Sequence, residues 1–164
     1  MQLRRPVLLA LIVVCLGSAC SDGAIDTKAT PADLRTAARS YAAAYIGGDA
    51  AGFTNAFSTH CDLQHHSAKD VQPLLRQLRG DSEGAQRLLA IKVVGAEVRN
   101  VSRSKGTARA LFQGPPSDIG NDNWLHYVVE DGEWRLRDCK NLPIPVGGST
   151  VSVSGRVTSP VSGG

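Results

Sequence analysis

A dipeptide with a strict backbone requirement, Asp131-Gly132, lies between two runs of alternating apolar and polar residues. The run before it reads W-L-H-Y-V-V-E and the run after it reads E-W-R-L-R-D-C, from Trp124 to Cys139. A two-residue type I′ turn needs positive φ at both positions, and Asp-Gly is among the pairs that supply it. The stretch therefore predicts an antiparallel hairpin whose register follows from the turn.

In that register one face of the hairpin is apolar and the other is largely polar. The apolar face, expected to lie on the core, pairs Val129 with Trp134 and Tyr127 with Leu136. The other face pairs Val128 with Arg135, His126 with Arg137 and Trp124 with Cys139. Glu130 opposite Glu133 is a small like-charge cost, which we expect Arg135 or a neighbouring loop to relieve.

Helical patterns precede the hairpin. Thr30 as N-cap and Pro31 at the first helical position predict the start of a long helix, and Gly47-Gly48 predict its end. Its apolar face is formed by Leu34, Ala37, Ala38, Tyr41, Ala42 and Tyr45. Asp49 can cap a second, shorter helix that runs to the region of Cys61.

A third helix and two strands follow. Ser67 or Asp70 starts the helix, and Gly80 stops it. Leu88 to Ser102 is rich in Leu, Ile and Val and predicts a strand with a bulge at Gly95, and Thr107 to Gln113 predicts a second strand. The order of elements predicts an α+β domain, with N-terminal helices packed on an antiparallel sheet.

The first twenty residues have the features of a secretory leader. Arg4 and Arg5 precede an apolar run of ten residues, Val7 to Leu16, which is too short to span a bilayer. The small residues 17–19 predict cleavage after Ala19, so that the mature chain begins at Cys20. This arrangement resembles the lipobox of bacterial lipoproteins, although Gly17 stands where that pattern favours Leu.

The lipobox resemblance implies that Cys20 carries a diacylglycerol and anchors the protein at the extracytoplasmic face of the cell membrane. The alternative is a plain secretory cut that leaves Cys20 unmodified. Cys15 leaves with the leader, so Cys61 and Cys139 remain and predict one disulfide in an exported domain.

Net charge and composition limit the possible partners and indicate the domain organisation. Without Arg4 and Arg5, the chain carries 16 Lys and Arg against 15 Asp and Glu, which argues against nucleic acid as a partner. We expect a signal peptide at 1–19, a lipidated N-terminus and tether at 20–29, the domain at 30–142 and a Gly/Ser-rich tail at 143–164. The composition of the tail favours disorder. The alternative is a short edge strand that contains Val151 and Val153.

Two segments carry a resemblance to a known fold family. These are A-A-R-S-Y-A-A-A-Y-I-G-G-D-A-A-G-F at 37–53 and V-V-E-D-G-E-W-R-L-R-D-C at 128–139. With the order of elements, they resemble the nuclear transport factor 2-like (cystatin-like) domain of small exported bacterial lipoproteins. The resemblance covers roughly 31–140 and implies a cone in which a curved sheet wraps a long N-terminal helix. Its members include ketosteroid isomerase, polyketide cyclases and non-catalytic binding proteins.

The residues themselves predict no catalytic set, metal site or cofactor. His60, Cys61, Asp62, His65 and His66 lack the spacing of a known metal site and are better interpreted as an exposed connection. His126 beside Arg137 could act as a general base, and a polar strand surface is the favoured interpretation. In a cone, part of the aromatic set would line a pocket: Tyr41, Tyr45, Phe53, Phe57, Tyr127 and Trp134.

Three functional hypotheses remain from the sequence. The first is a lipid-anchored, non-enzymatic domain that binds a small apolar ligand or a partner protein. The second is a small pocket enzyme of the isomerase or cyclase type, and the third is a structural spacer. A filled cone favours the first, and a deep cavity with Asp or His at its floor favours the second.

Overall fold

The computed structural model describes residues 29–80, 82–114, 124–139, 141–143 and 150–152. The predicted leader, Cys20 and nearly all of the tether lie outside these residues. The helices are α1 (Pro31–Gly47), α2 (Ala50–Asn55), α3 (Ala68–Arg79) and α4 (Ser82–Leu89), with a short 3₁₀ turn at Asp62–His65. The strands are β1 (Lys92–Arg99), β2 (Lys105–Gln113), β3 (Leu125–Glu130), β4 (Glu133–Leu136), β5 (Asn141–Pro143) and β6 (Thr150–Ser152).

Helices pack on one face of a curved antiparallel sheet, which confirms the predicted α+β class. The sheet has the order β1-β2-β3-β4, and α1 contacts β1, β2 and β4. β5 and β6 form a separate two-stranded sheet in which Val151 pairs with Leu142. Val151 lies inside the segment 143–164 that the sequence predicts to be a tail. Within the described ranges, no helix is both long and apolar enough to cross a membrane.

The long helix begins and ends where the sequence predicts. The Thr30 hydroxyl accepts a hydrogen bond from the Asp33 N–H at 3.2 Å, and the Asp33 carboxylate accepts one from the Thr30 N–H at 3.2 Å. This capping box satisfies two backbone donors that the first turn leaves free. Gly48 ends the helix with a φ of 73°, which glycine adopts without a steric penalty.

The shorter helices resolve one open alternative and correct one prediction. Ser67, rather than Asp70, caps α3, because its hydroxyl accepts a hydrogen bond from the Asp70 N–H. The predicted strand from Leu88 is wrong at its start, since Leu88 and Leu89 belong to α4 and β1 begins at Lys92. A short apolar run does not distinguish a strand from a helix, and packing of Leu88 on the core decides it here.

The connection between β1 and β2 also differs from its prediction. The turn lies before Lys105 instead of at 104–106, and Asn100 adopts the left-handed conformation with a φ of 52°. The predicted bulge at Gly95 is confirmed by a register shift between Val93 and Gly95.

The predicted hairpin is confirmed in type and register. Asp131 and Gly132 have φ values of 50° and 76°, as a type I′ turn requires. The paired residues are Tyr127–Leu136, Val128–Arg135, Val129–Trp134 and Glu130–Glu133. The free edge of β4 is extended by the segment after α2, where the Ser58 N–H donates to the Leu136 carbonyl at 2.9 Å.

The core lies between α1 and the sheet and contains a cluster of aromatic rings. Tyr41 stacks on Phe53 with centroids 5.4 Å apart and meets Phe57 edge-on at 5.7 Å. Gly106 lets α1 come close to β2, because a Cβ atom at this position would lie 2.6 Å from the Leu34 side chain. The interior of the described domain is therefore filled by side chains around Tyr41.

Cys61 and Cys139 join the segment after α2 to the end of the hairpin. The structure places their sulfurs at disulfide distance, with Cα atoms 5.3 Å apart and a sequence separation of 78. Cys61 is buried, and Cys139 packs against the core. This is the pairing that the sequence predicts.

Replacing both cysteines (Cys61→Ser with Cys139→Ser) should lower the free energy of unfolding by up to about 4–5 kcal/mol, because the cross-link restricts the unfolded chain. Urea unfolding of both proteins measures this change. Alkylation of the unreduced, unfolded parent protein should label neither of these cysteines. Labelling of both would contradict the bridge.

Candidate functional site

A groove of about 470 Å³ lies between α1, the end of α2 and the β3–β4 hairpin. From α1 it is lined by Asp33, Thr36, Ala37 and Ser40, and from the α2 region by Gly52, Asn55 and Ala56. The hairpin contributes Tyr127, Gly132, Glu133, Trp134 and Arg135. A smaller depression of about 320 Å³ beside α1 shares Thr36 and Ser40 with the groove.

Small residues on the helices and a large ring on the sheet create this space. Three residues with little or no side chain line the helical side of the groove: Ala37, Gly52 and Ala56. On the sheet side, the Trp134 indole N–H donates to the Thr30 carbonyl at 3.1 Å. That bond holds the ring against the start of α1, so the apolar wall of the groove has a fixed orientation.

The rim of the groove carries charges that are already engaged. The Arg135 guanidinium donates to the Asn55 carbonyl and pairs with the Glu133 carboxylate at 2.5 Å. Asp33 belongs to the α1 capping box. With two carboxylates and one guanidinium, the described lining has a formal charge of −1.

Tyr127 lies at the bottom of the groove and is 1% exposed. Its hydroxyl has no hydrogen-bond partner among the described residues. Burial, and then the negative charge of Asp138, raise the pKa of Tyr127 well above its ordinary value, so the group is a neutral phenol. A buried hydroxyl without a partner is energetically costly, and a ligand that accepts a hydrogen bond from it would remove that cost.

The six aromatic residues predicted to line a pocket fall into two sets. Tyr127 and Trp134 line the groove. The others pack in the core cluster: Tyr41, Tyr45, Phe53 and Phe57. The size of a ring alone does not show whether it fills the core or lines a groove. The signal that sequence reasoning missed was the set of small residues that line the same groove as Trp134.

Two tyrosines of the core, Tyr41 and Tyr45, are buried and have raised pKa values. The Tyr45 hydroxyl donates to the Leu78 carbonyl at 2.8 Å. Burial raises the pKa of Tyr45 to about 12, with Arg79 acting in the opposite direction. Burial also raises the pKa of Tyr41, and the neighbouring Tyr127 adds to this. Both groups are neutral packing residues at physiological pH.

His126 lies on the outer face of the sheet, away from the groove. Its backbone carbonyl pairs with the Arg137 N–H as predicted, but its imidazole Nδ1 lies 3.1 Å from the Asp138 carboxylate. The contact of Asp138 with His126 depends on the course of the chain after β4. The His126 side chain is 64% exposed, which fits a polar strand surface.

The histidines after α2 do not form a cluster. The His65 imidazole lies 2.7 Å from the Thr59 carbonyl, and Cys61 belongs to the bridge with Cys139. Among the residues that the structure describes, no group of three His, Cys, Asp or Glu is placed to hold a metal ion.

Glu130 ties the tip of the hairpin to the segment after α2. Its carboxylate accepts hydrogen bonds from the Ser58 hydroxyl and from the Thr59 N–H, the latter at 2.8 Å. Desolvation raises the pKa of Glu130, but these hydrogen bonds outweigh it and hold the pKa below its ordinary value. Together with the Arg135–Glu133 pair, they relieve the repulsion predicted between Glu130 and Glu133.

No protein-family model matches this sequence, and neither a curated protein nor a solved structure matches it. Functional reasoning therefore depends on the sequence signals and on the geometry of the groove.

Glu130→Gln should lower the free energy of unfolding at neutral pH. In this variant the free energy of unfolding should also fall less as the pH is lowered. Because the folded pKa is lowered, the carboxylate stabilises the fold above its unfolded pKa of about 4.3, and this contribution is lost as pH falls through the folded pKa. Urea unfolding between pH 3 and 7 measures the difference. The control is Glu83→Gln, an exposed position on α4. Parallel pH profiles for parent and Glu130→Gln would contradict this.

Proposed function

We propose that this protein is a lipid-anchored, extracytoplasmic domain of the cone-shaped, nuclear transport factor 2-like type, and that it binds a small apolar ligand without catalysis. The α+β arrangement, with a curved sheet around a long N-terminal helix, is compatible with this fold type. The two resembling segments, at 37–53 and 128–139, form α1 with the start of α2 and most of the hairpin.

The groove is the observation that carries the binding proposal. Its volume of about 470 Å³ lies within the range of small-molecule sites, roughly 300–1,000 Å³. Its walls include the Trp134 and Tyr127 rings, and its rim is polar. An apolar cleft with few polar groups favours a ligand that is held mainly by burial of apolar surface.

The side chains around the groove give little evidence for catalysis. Asp33 is engaged in a helix cap, Arg135 is paired with Glu133, and His126 lies on the outer face of the sheet. The filled aromatic core also favours binding over a deep catalytic cavity. The unpartnered Tyr127 hydroxyl is the one feature that favours the second candidate, a pocket enzyme of the isomerase or cyclase type, in which it would donate to a substrate oxygen.

The anchor proposal depends on the leader. Arg4, Arg5, a ten-residue apolar run and three small residues before Cys20 are the sequence signals of a lipoprotein leader. Two acyl chains are sufficient for stable attachment to a membrane. An anchored domain in this position would meet apolar molecules that dissolve in or cross the membrane.

An uncharged apolar dye, N-phenyl-1-naphthylamine, should bind saturably to the mature protein with a rise in fluorescence. Ala37→Phe should weaken binding by roughly tenfold, a loss of about 1.4 kcal/mol, because the ring would occupy the groove. Ala51→Phe is the control, since Ala51 is exposed on α2 outside the groove. Equal binding by both variants would contradict binding in this groove, and no saturable binding would contradict the function.

Cys20→Ser should move the protein from the membrane fraction to the soluble fraction of cells that express the full sequence, because no thiol remains for acylation. Mass spectrometry of the parent protein, extracted from membranes, should show an acylated N-terminal Cys20 and no residues 1–19. Recovery of the parent from cytosol with Met1 attached would contradict the anchor.

A further inference from the structure

Three features meet at one end of the domain: the first turns of α1, the β3–β4 turn and the point where the chain enters the domain. Asp33, Thr36 and Ala37 line the groove from α1, and Gly132 and Glu133 line it from the turn. The Trp134 indole, a wall of the groove, binds the Thr30 carbonyl directly. The groove is therefore built against the entry point of the chain.

The entry point is close in sequence to the proposed anchor. Thr30, the capping residue, lies ten residues after Cys20, the acylation position. Even when fully extended, ten residues span at most about 35 Å. An anchored domain thus holds this end, and the groove with it, within that distance of the lipid surface.

The charges at the rim select against an anionic ligand. Asp33 and Glu133 contribute two carboxylates to the lining. Arg135 is the one cation among the described lining residues, and both its terminal nitrogens are engaged, with Asn55 and with Glu133. A carboxylate or phosphate at the rim would meet two like charges without a free guanidinium to bind it.

We propose that the groove takes up one acyl chain of an uncharged membrane amphiphile, of the monoacylglycerol class. The acyl chain lies against Trp134 and Ala37, and the hydroxyl-bearing head remains at the polar rim. This inference rests on the proposed binding function and adds the ligand class, the source of the ligand and the discrimination against anions.

The test uses the mature chain, residues 20–164, with Cys20→Ser so that no attached lipid competes. Monooleoylglycerol and oleate, each below its aggregation concentration, are titrated against bound N-phenyl-1-naphthylamine at pH 8. Monooleoylglycerol should displace the dye about tenfold more effectively than oleate. In a Trp124→Phe background, which leaves Trp134 as the single tryptophan, a brominated monoacylglycerol should quench the fluorescence.

A charge variant isolates the role of the rim. Glu133→Gln removes one carboxylate and releases Arg135 from its pair, so oleate should bind about tenfold more tightly while monooleoylglycerol changes little. Glu83→Gln is the matched control, because Glu83 is paired with Arg87 on α4 and does not line the groove. An equal gain for oleate in both variants would overturn the charge argument.

The remaining outcomes separate this inference from the function on which it rests. If the dye binds and Ala37→Phe weakens it, but monooleoylglycerol does not displace it, the acyl-chain inference fails and the groove remains a binding site. If oleate binds as well as or better than monooleoylglycerol, the selection for an uncharged head fails. If the dye does not bind, both proposals fail.

Discussion

The β3–β4 turn is the constraint on which the rest of the described structure depends. Positive φ at Asp131 and Gly132 fixes a two-residue connection, and a strand register that slips by one residue would move every side chain to the other face. The observed register places Tyr127, Trp134 and Leu136 on the helical side of the sheet. From that side, Trp134 reaches the start of α1, and Leu136 pairs with the segment after α2.

The groove is a consequence of that register combined with uneven side-chain volume. Along the middle of α1, Tyr41 meets Phe53 and Phe57, so the interior is filled. On another face of α1, Thr36, Ala37 and Ser40 line the groove, and the space between helix and hairpin stays open. Closure there is also limited by the Trp134–Thr30 hydrogen bond, which sets the position of the ring. The same helix therefore contributes one face to the core and another to the wall of a binding groove.

Local signals were reliable where one residue type satisfies a backbone requirement by itself. Thr30 caps α1 as expected, and Gly95 marks the bulge. Leu88 was assigned to the wrong element, because a short apolar run fits a helix as well as a strand. Asp138 contacts His126, which lies twelve positions earlier in the chain. Contacts of this kind depend on strand pairing, which no local pattern contains.

The sequence by itself determined the capped helix, the type I′ hairpin with its register and the α+β order, because each follows from local backbone chemistry. It also determined the pairing of Cys61 with Cys139, because these are the cysteines left after the predicted leader. Tertiary structure alone decided which aromatic rings fill the core and which line the groove. Ring size predicts burial in general, whereas a cavity depends on what lies opposite each ring, and the residues opposite Trp134 come from elements far apart in the chain.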